Sequence, residues 1–314
     1  MNTAVRKILS LITTVVVVSV ITFFVFQILP GNPVQIILGV DADERQMEAL
    51  EEQMGLDKPA AVRYLEWVGS AVKGDLGTSI RYQLPVAELI GDRLPVTMSL
   101  AVMSLILTLA AGVPLGIYIA SRNGKVISYL LSLLTQLGIA IPSFWLGILL
   151  IFVFSVILKW FPAGQYVSWS DNPWEAFKSL LLPSIAIAIS NTAVLIRYIR
   201  NTVLDQLKLD YVRTARSKGL GQAAILYKHV IRNASIPVLT VLGMIVADTL
   251  GGSIIVENVF SLPGLGNLLV SSINSRDLPM VQAMVLYIGV TVIMINFLVD
   301  LLYKVVDPRI GRRG

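Results

Sequence analysis

The chain has 314 residues, 55% of them hydrophobic and 14% charged, with a mean hydropathy of +0.75. A soluble domain averages about 25% charged residues, so this composition argues against a water-soluble fold. There is no cysteine, which excludes a disulfide framework, a thiolate metal site and a cysteine nucleophile. The net charge of +5 sits in short segments beside hydrophobic stretches, which is how membrane topology is written rather than how nucleic acid is bound.

Six segments reach the roughly 20 mostly apolar residues that a transmembrane helix needs. They are residues 8–29, 96–120, 126–158, 180–199, 234–256 and 280–303. The fold class is therefore an all-α integral membrane protein. The first segment is expected to be retained as a span rather than cleaved as a signal, because five more follow it and no small-residue cleavage pattern does. Residues 31–95 carry eleven acidic residues against six basic ones and read as a small helical lobe outside the cytoplasm. Within it, residues 42–54 are rich in Glu, Gln, Met and Leu and predict a helix. Asp57 and Pro59 form an N-cap and first-turn pair for a second helix through Val72, which Gly74-Asp75-Leu76-Gly77 then breaks. The third segment is too long for one straight crossing and contains Pro142, which predicts a kink or an amphipathic lead-in before about Thr135.

Orientation follows from lysine and arginine. Arg6 and Lys7 put the N-terminus inside; the inner loops carry Arg122 and Lys125, then Arg197, Arg200, Lys208, Arg213, Arg216, Lys218, Lys228 and Arg232. Lys304, Arg309, Arg312 and Arg313 put the C-terminus inside as well. The expected division is 1–30 for the N-terminus and first span, 31–95 for the lobe, and 96–310 for a five-helix core with a cytoplasmic loop at about 200–232. That loop reads as a short helix, a break at Gly219, and a second helix leading into the fifth span. It can transmit force, or it can serve as a basic loop that fixes topology and touches lipid phosphates.

Asp248 is the sharpest single signal inside the spans, since a charge near the bilayer centre costs about 2.5 to 3.5 kcal/mol on insertion scales. Two readings stand: attraction of a cationic cargo, either a peptide amine or a chelated metal, or a structural role in which Asp248 is protonated or hydrogen-bonded between subunits near Thr249 and Gly251-Gly252. Gln136, Ser143 and Asn191 are further polar candidates for the translocation path, each also explicable as glue between helices. His229 is the only histidine and lies in the inner loop, so no histidine-built nickel site can line the path, and nickel cargo would travel chelated. No catalytic residue and no metal site is expected. Phosphate-loop, metalloprotease and nucleophile-elbow motifs do not occur, and Gly219-Leu220-Gly221 and Gly264-Leu265-Gly266 read as helix breaks rather than dinucleotide fingerprints.

A set of strings along nearly the whole chain resembles permeases of the dipeptide, oligopeptide and nickel family of ABC importers. They are Leu29-Pro30-Gly31-Asn32-Pro33, Gly55-Leu56-Asp57-Lys58-Pro59, Gly74-Asp75-Leu76-Gly77-Thr78-Ser79, Ile141-Pro142-Ser143-Phe144-Trp145-Leu146-Gly147, the inner loop 210–237, Glu257 through Gly266, and Arg276-Asp277-Leu278-Pro279. The resemblance implies the type I importer permease fold and places Tyr211, Arg213, Thr214, Ala215, Arg216, Lys218 and Gly219 in an ATPase-coupling loop. The motif's usual acidic position is Arg213 here, and a proline expected further on is Arg232. The resemblance further implies a second homologous permease, two cytoplasmic ATPase subunits that use ATP and magnesium, and an extracytoplasmic substrate-binding protein docking near Pro263 and Gly264. No cofactor would be bound by this chain, which would lie in the bacterial inner or plasma membrane and carry di- or oligopeptides or a nickel chelate. The alternative is an ATP-independent secondary transporter or channel.

Overall fold

The structure is a computed structural model and describes residues 3–28, 34, 38, 43–53, 55–162 and 164–306. The Leu29–Pro33 turn and the basic C-terminal residues Arg309, Arg312 and Arg313 lie outside the described residues. Five helices are long and apolar enough to cross a membrane, and a bent pair makes a sixth candidate. In lipid every backbone group must be satisfied within its own segment, which is why the apolar runs fold as helices despite stretches such as Val15-Val16-Val17-Val18.

In chain order the helices are α1 (Thr3–Ile28), α2 (Glu44–Gln53), α3 (Ala60–Val72), α4 (Val86–Ser121), α5 (Val126–Ala140), α6 (Ser143–Ile157), α7 (Pro173–Gln206), α8 (Asp210–Ser217), α9 (Gln222–Val259), α10 (Leu265–Asn274) and α11 (Leu278–Val306). Several outrun their apolar stretches. α4 begins ten residues before the expected span and runs through Pro95 and Pro114. α7 starts at Pro173 because Asn172 caps it, its Oδ1 accepting from the N–H of Trp174 at 3.1 Å and of Glu175 at 3.3 Å.

Two expectations change. The N-cap of α3 is Pro59, with no side-chain cap, so Asp57 does not cap this helix. Pro59 is itself extended, with φ −54° and ψ 138°, so the helix starts after it rather than at it. The third span is not merely kinked: α5 and α6 meet at 98°. Ile141 is extended, with φ −91° and ψ 121°, as the residue before Pro142 should be. Its freed carbonyl accepts from Ser190 Oγ of α7 at 3.3 Å. α6 then ends in a π-helical stretch, Ile151–Ile157.

The chain forms two compact units, Met1–Pro95 with Asn267–Met294, and Val96–Gly266 with Ile295–Gly314. In the second, α4, α7 and α9 enclose a core that includes Leu195, Ile199, Val203, Val241 and Ile245. Gly112 and Gly116 let α4 approach α7 closely: a methyl at Gly112 would lie 2.8 Å from Leu195, and one at Gly116 2.8 Å from Ile199. This is the small-xxx-small device of membrane helices. Gly116→Leu should therefore lower the thermal stability of the purified protein by about 1–3 kcal/mol, the usual cost of overpacking, and an unchanged melting temperature would refute the close crossing.

Candidate coupling, pathway and turn residues

The short helix α8 has two edges. Val212 and Ala215, three residues apart, are buried in the core beneath α7 and α9. Arg213, Thr214, Arg216, Ser217 and Lys218 are exposed. Tyr211 is half-buried and donates its hydroxyl to Gln206 Oε1 at 2.9 Å, tying the helix to the end of α7. The Thr214 hydroxyl turns back onto the Asp210 carbonyl. Arg213 reaches Asp210 at 3.5 Å with both side chains largely exposed, a pair worth little in water.

Gly219 ends α8. Its φ is +78°, its N–H bonds to the Arg216 carbonyl, and the Leu220 N–H bonds to the Ala215 carbonyl. These two bonds are the Schellman closure, whose left-handed residue is normally glycine. The result is a helix fixed by its apolar edge, with its basic edge exposed.

Among the pathway candidates, Asn191 of α7 donates to Thr249 Oγ1 of α9 at 2.8 Å, with both residues buried, and Thr249 donates on to the Ile245 carbonyl. Asp248 is next to Thr249 but faces away. It is exposed, on a bare strip of α9 shared with Met244, Gly251 and Ile255, which follow at helical spacing. A methyl built on Gly251 or Gly252 would meet nothing within 4 Å. Gln136 is exposed on α5, and Ser143 is half-buried at the start of α6. The structure thus bonds Asn191 to Thr249, the residue after Asp248, while among the described residues no hydrogen bond joins Gln136 or Ser143 to either.

The turn after α9 holds a residue for which sequence reasoning found no role. Glu257 is 0% exposed. Its Oε1 accepts from Thr97 Oγ1 at 2.7 Å and its Oε2 from the Gly266 N–H at 2.6 Å, while Thr97 Oγ1 accepts from the Leu265 N–H at 2.9 Å. The carboxylate therefore answers two of the free N–H groups at the start of α10, one directly and one through Thr97, where the helix dipole also favours negative charge. Gly264 and Gly266 are buried against it: a methyl on Gly264 would collide with the Glu257 carboxylate, and one on Gly266 with the Ile254 backbone. Pro263 is half-buried.

Asp277 plays a parallel part in the first unit. It is 0% exposed and stands just before α11, accepting from the Met280 N–H at 3.4 Å in the manner of an N-cap. It also accepts from Ser79 Oγ at 2.5 Å and from the N–H groups of Ile80 and Arg81 at 3.2 and 3.3 Å. Two strings quoted separately above, 74–79 and 276–279, are thereby clamped together. The only signal for either carboxylate was a charged residue inside a motif at the end of an apolar run.

Among the described residues there is no group of three or more His, Cys, Asp or Glu placed to hold a metal ion.

Residues 112–312 match the family described as binding-protein-dependent transport system inner membrane component, and residues 1–101 match its N-terminal companion. The chain is 40% identical over 309 residues to the oligopeptide transport system permease protein AppB of Bacillus subtilis, covering 98% of each. It is 39% identical over 305 residues to a putative peptide transport system permease protein of Brucella suis biovar 1, covering 97% of each. With the dipeptide transport system permease protein DppB of Alkalihalophilus pseudofirmus it shares 37% over 327 residues, 98% of each. A solved structure of the MetNI methionine ABC transporter in an inward-facing conformation superposes with a TM-score of 0.57 over 70% of this chain and 96% of that one, at 17% identity, which establishes likeness of fold. An ABC transporter complex with ATPase subunits is implied by the family. The chain belongs to the binding-protein-dependent transport system inner membrane components: it is a multi-pass, non-catalytic permease subunit of an ABC importer.

Proposed function

We propose that this permease carries peptides across a bacterial inner or plasma membrane, with both termini in the cytoplasm, paired with a second permease and driven by two ATPase subunits that hold ATP and magnesium. The names of its relatives favour peptide over nickel chelate as cargo. Family membership also removes the alternative of an ATP-independent carrier or channel. The observation that carries the mechanism is α8: an eight-residue helix fixed by Val212 and Ala215, closed by Gly219, and presenting Arg213, Arg216 and Lys218 outward. Such a helix fits a groove with an acidic rim on an ATPase subunit, and closure of the ATPases would move the inner ends of α7 and α9 through it. The bare strip around Asp248 then faces the path, where its carboxylate attracts the amine of a peptide. Gln136 and Ser143 are secondary path candidates, and Asn191 holds α7 to α9 behind the strip. A substrate-binding protein would land on the acidic lobe and on the turn around Pro263 and Gly264, with Gly264 acting through the backbone path that Glu257 fixes.

The test is ATP hydrolysis by the complex purified with its partner subunits and binding protein. Arg213→Glu together with Lys218→Glu leaves the buried edge of α8 intact. Placing like charge against an acidic rim costs several kcal/mol, so binding-protein-stimulated hydrolysis should fall about tenfold or more. Assembly-competent insertion should persist, shown by unchanged yield and melting temperature of the variant permease. Full stimulation in the variant would refute the role of this face.

A further inference from the structure

The helix α3 belongs to the lobe, yet its packing partner is a membrane span. Tyr64 Oη lies 2.8 Å from Ser19 Oγ of α1, and the Phe23 ring meets the rings of Tyr64 and Trp67 at 5.5 and 5.8 Å between centroids. The apolar stretch of α1 runs Val5–Ile28. At about 1.5 Å per residue, Ser19 lies roughly 13 Å below Ile28 along the axis and Phe23 roughly 7 Å. The stretch is about 36 Å long against a hydrocarbon core of about 30 Å. Even if the whole surplus projects on the lobe side, Ser19 stays about 7 Å inside the hydrocarbon. The helix that reaches it cannot stand clear of the bilayer.

The far side of α3 agrees with that depth. No residue of α3 is buried. Val62, Leu65 and Val72 are 42%, 68% and 83% exposed, and Gly69 between them is open. On a helical wheel these four fall within roughly 80° of one another, beside the face that carries Tyr64 and Trp67. Arg63, Glu66 and Ser70 occupy a separate polar arc, and Glu66 is paired with Lys58 at 2.8 Å. One helix therefore has an apolar side packed on a span, an apolar side left exposed, a polar edge, and two amphipathic aromatic rings. This is the anatomy of an interfacial helix.

We propose that α3 lies in the membrane interface on the lobe's side of the bilayer, with Val62, Leu65, Gly69 and Val72 against lipid acyl chains and the Lys58–Glu66 edge in water. The lobe is thus bound to the lipid surface as well as to the chain.

Because the chain has no cysteine, single cysteines can report depth in the full transporter reconstituted into phosphatidylcholine and phosphatidylglycerol vesicles, with partner subunits free of reactive thiols. Leu65→Cys and Val72→Cys test the stripe, Glu66→Cys the polar edge, and Val16→Cys, exposed on α1, gives a depth reference. A membrane-impermeant maleimide should label the first two about tenfold more slowly than Glu66→Cys, as expected for sites buried at the acyl boundary. A fluorophore attached at Leu65→Cys should be quenched by lipid carrying a nitroxide high on its acyl chain, and one at Val16→Cys by a nitroxide placed deep. Labelling of Leu65→Cys as fast as Glu66→Cys would overturn the proposal. So would protection without lipid quenching, which would mean that a protein partner covers the stripe. Loss of quenching at Val16→Cys would instead show that α1 does not cross.

Discussion

Asp277→Ala should loosen the unit formed by Met1–Pro95 and Asn267–Met294 more than any other single substitution in it. Four donors converge on that carboxylate: the Ser79 hydroxyl and the N–H groups of Ile80, Arg81 and Met280. Alanine would leave them in a site that is 0% exposed, where each lost hydrogen bond carries a desolvation cost. Disrupting a buried charged network of this kind costs about 3–5 kcal/mol. The substitution should therefore lower the melting temperature of the purified protein sharply and speed proteolysis within residues 74–85. Ser79→Ala removes one donor and should cost about 1 kcal/mol. In the double variant the Ser79 substitution should add almost nothing, since its partner is already gone. Asp277→Ala no worse than Ser79→Ala would show that the clamp is not a unit.

The second large effect is expected at Glu257. Glu257→Ala strands the Gly266 N–H and the Thr97 hydroxyl, each at about 1–3 kcal/mol, for roughly 2–6 kcal/mol in all. It also opens a hole beneath Gly264, which is packed against the carboxylate. Glu257→Gln keeps the shape but puts an NH2 where one oxygen accepted, so it should fall between alanine and wild type. Thr97→Ala should reproduce part of the loss from the other side, because Thr97 relays the Leu265 N–H to the same carboxylate. Transport should decline along the same series as stability if the turn acts through its shape. A Glu257→Ala protein with wild-type melting temperature and uptake would contradict the account.

These two carboxylates also mark where the sequence stops being readable. Hydropathy located the spans because the cost of lipid burial is local and additive along the chain. It underestimated their length: α4 and α7 extend past their apolar stretches, α7 from its Asn172 cap, and both run through prolines that the membrane setting tolerates. Pro142 announced a break, but not its 98°, which depends on how α5 and α6 pack on α7. Gly219 was legible as a helix stop since its left-handed backbone is a local requirement. Glu257 and Asp277 were not, because their partners Thr97 and Ser79 lie 160 and 198 residues away and nothing local distinguishes a clamped carboxylate from a loop charge. Asn191 was legible as a bond between helices, whereas its partner Thr249 was visible only as a neighbour of Asp248.

The lead-in to α9 holds one more consequence. Between Gln222–Ala224 and Ile231 the helix is π-wound over Ile225–Val230, its hydrogen bonds closing over five residues rather than four. Ile225, Leu226 and Val230 within that stretch are buried with Ala234 beyond it. A widened turn changes the phase of everything that follows, because each residue in an α-helix advances the azimuth by about 100°. The segment joining α8 to the span that carries Asp248 is therefore an angular setting as well as a connection, and gaining or losing one residue there would act as a rotation, not a displacement.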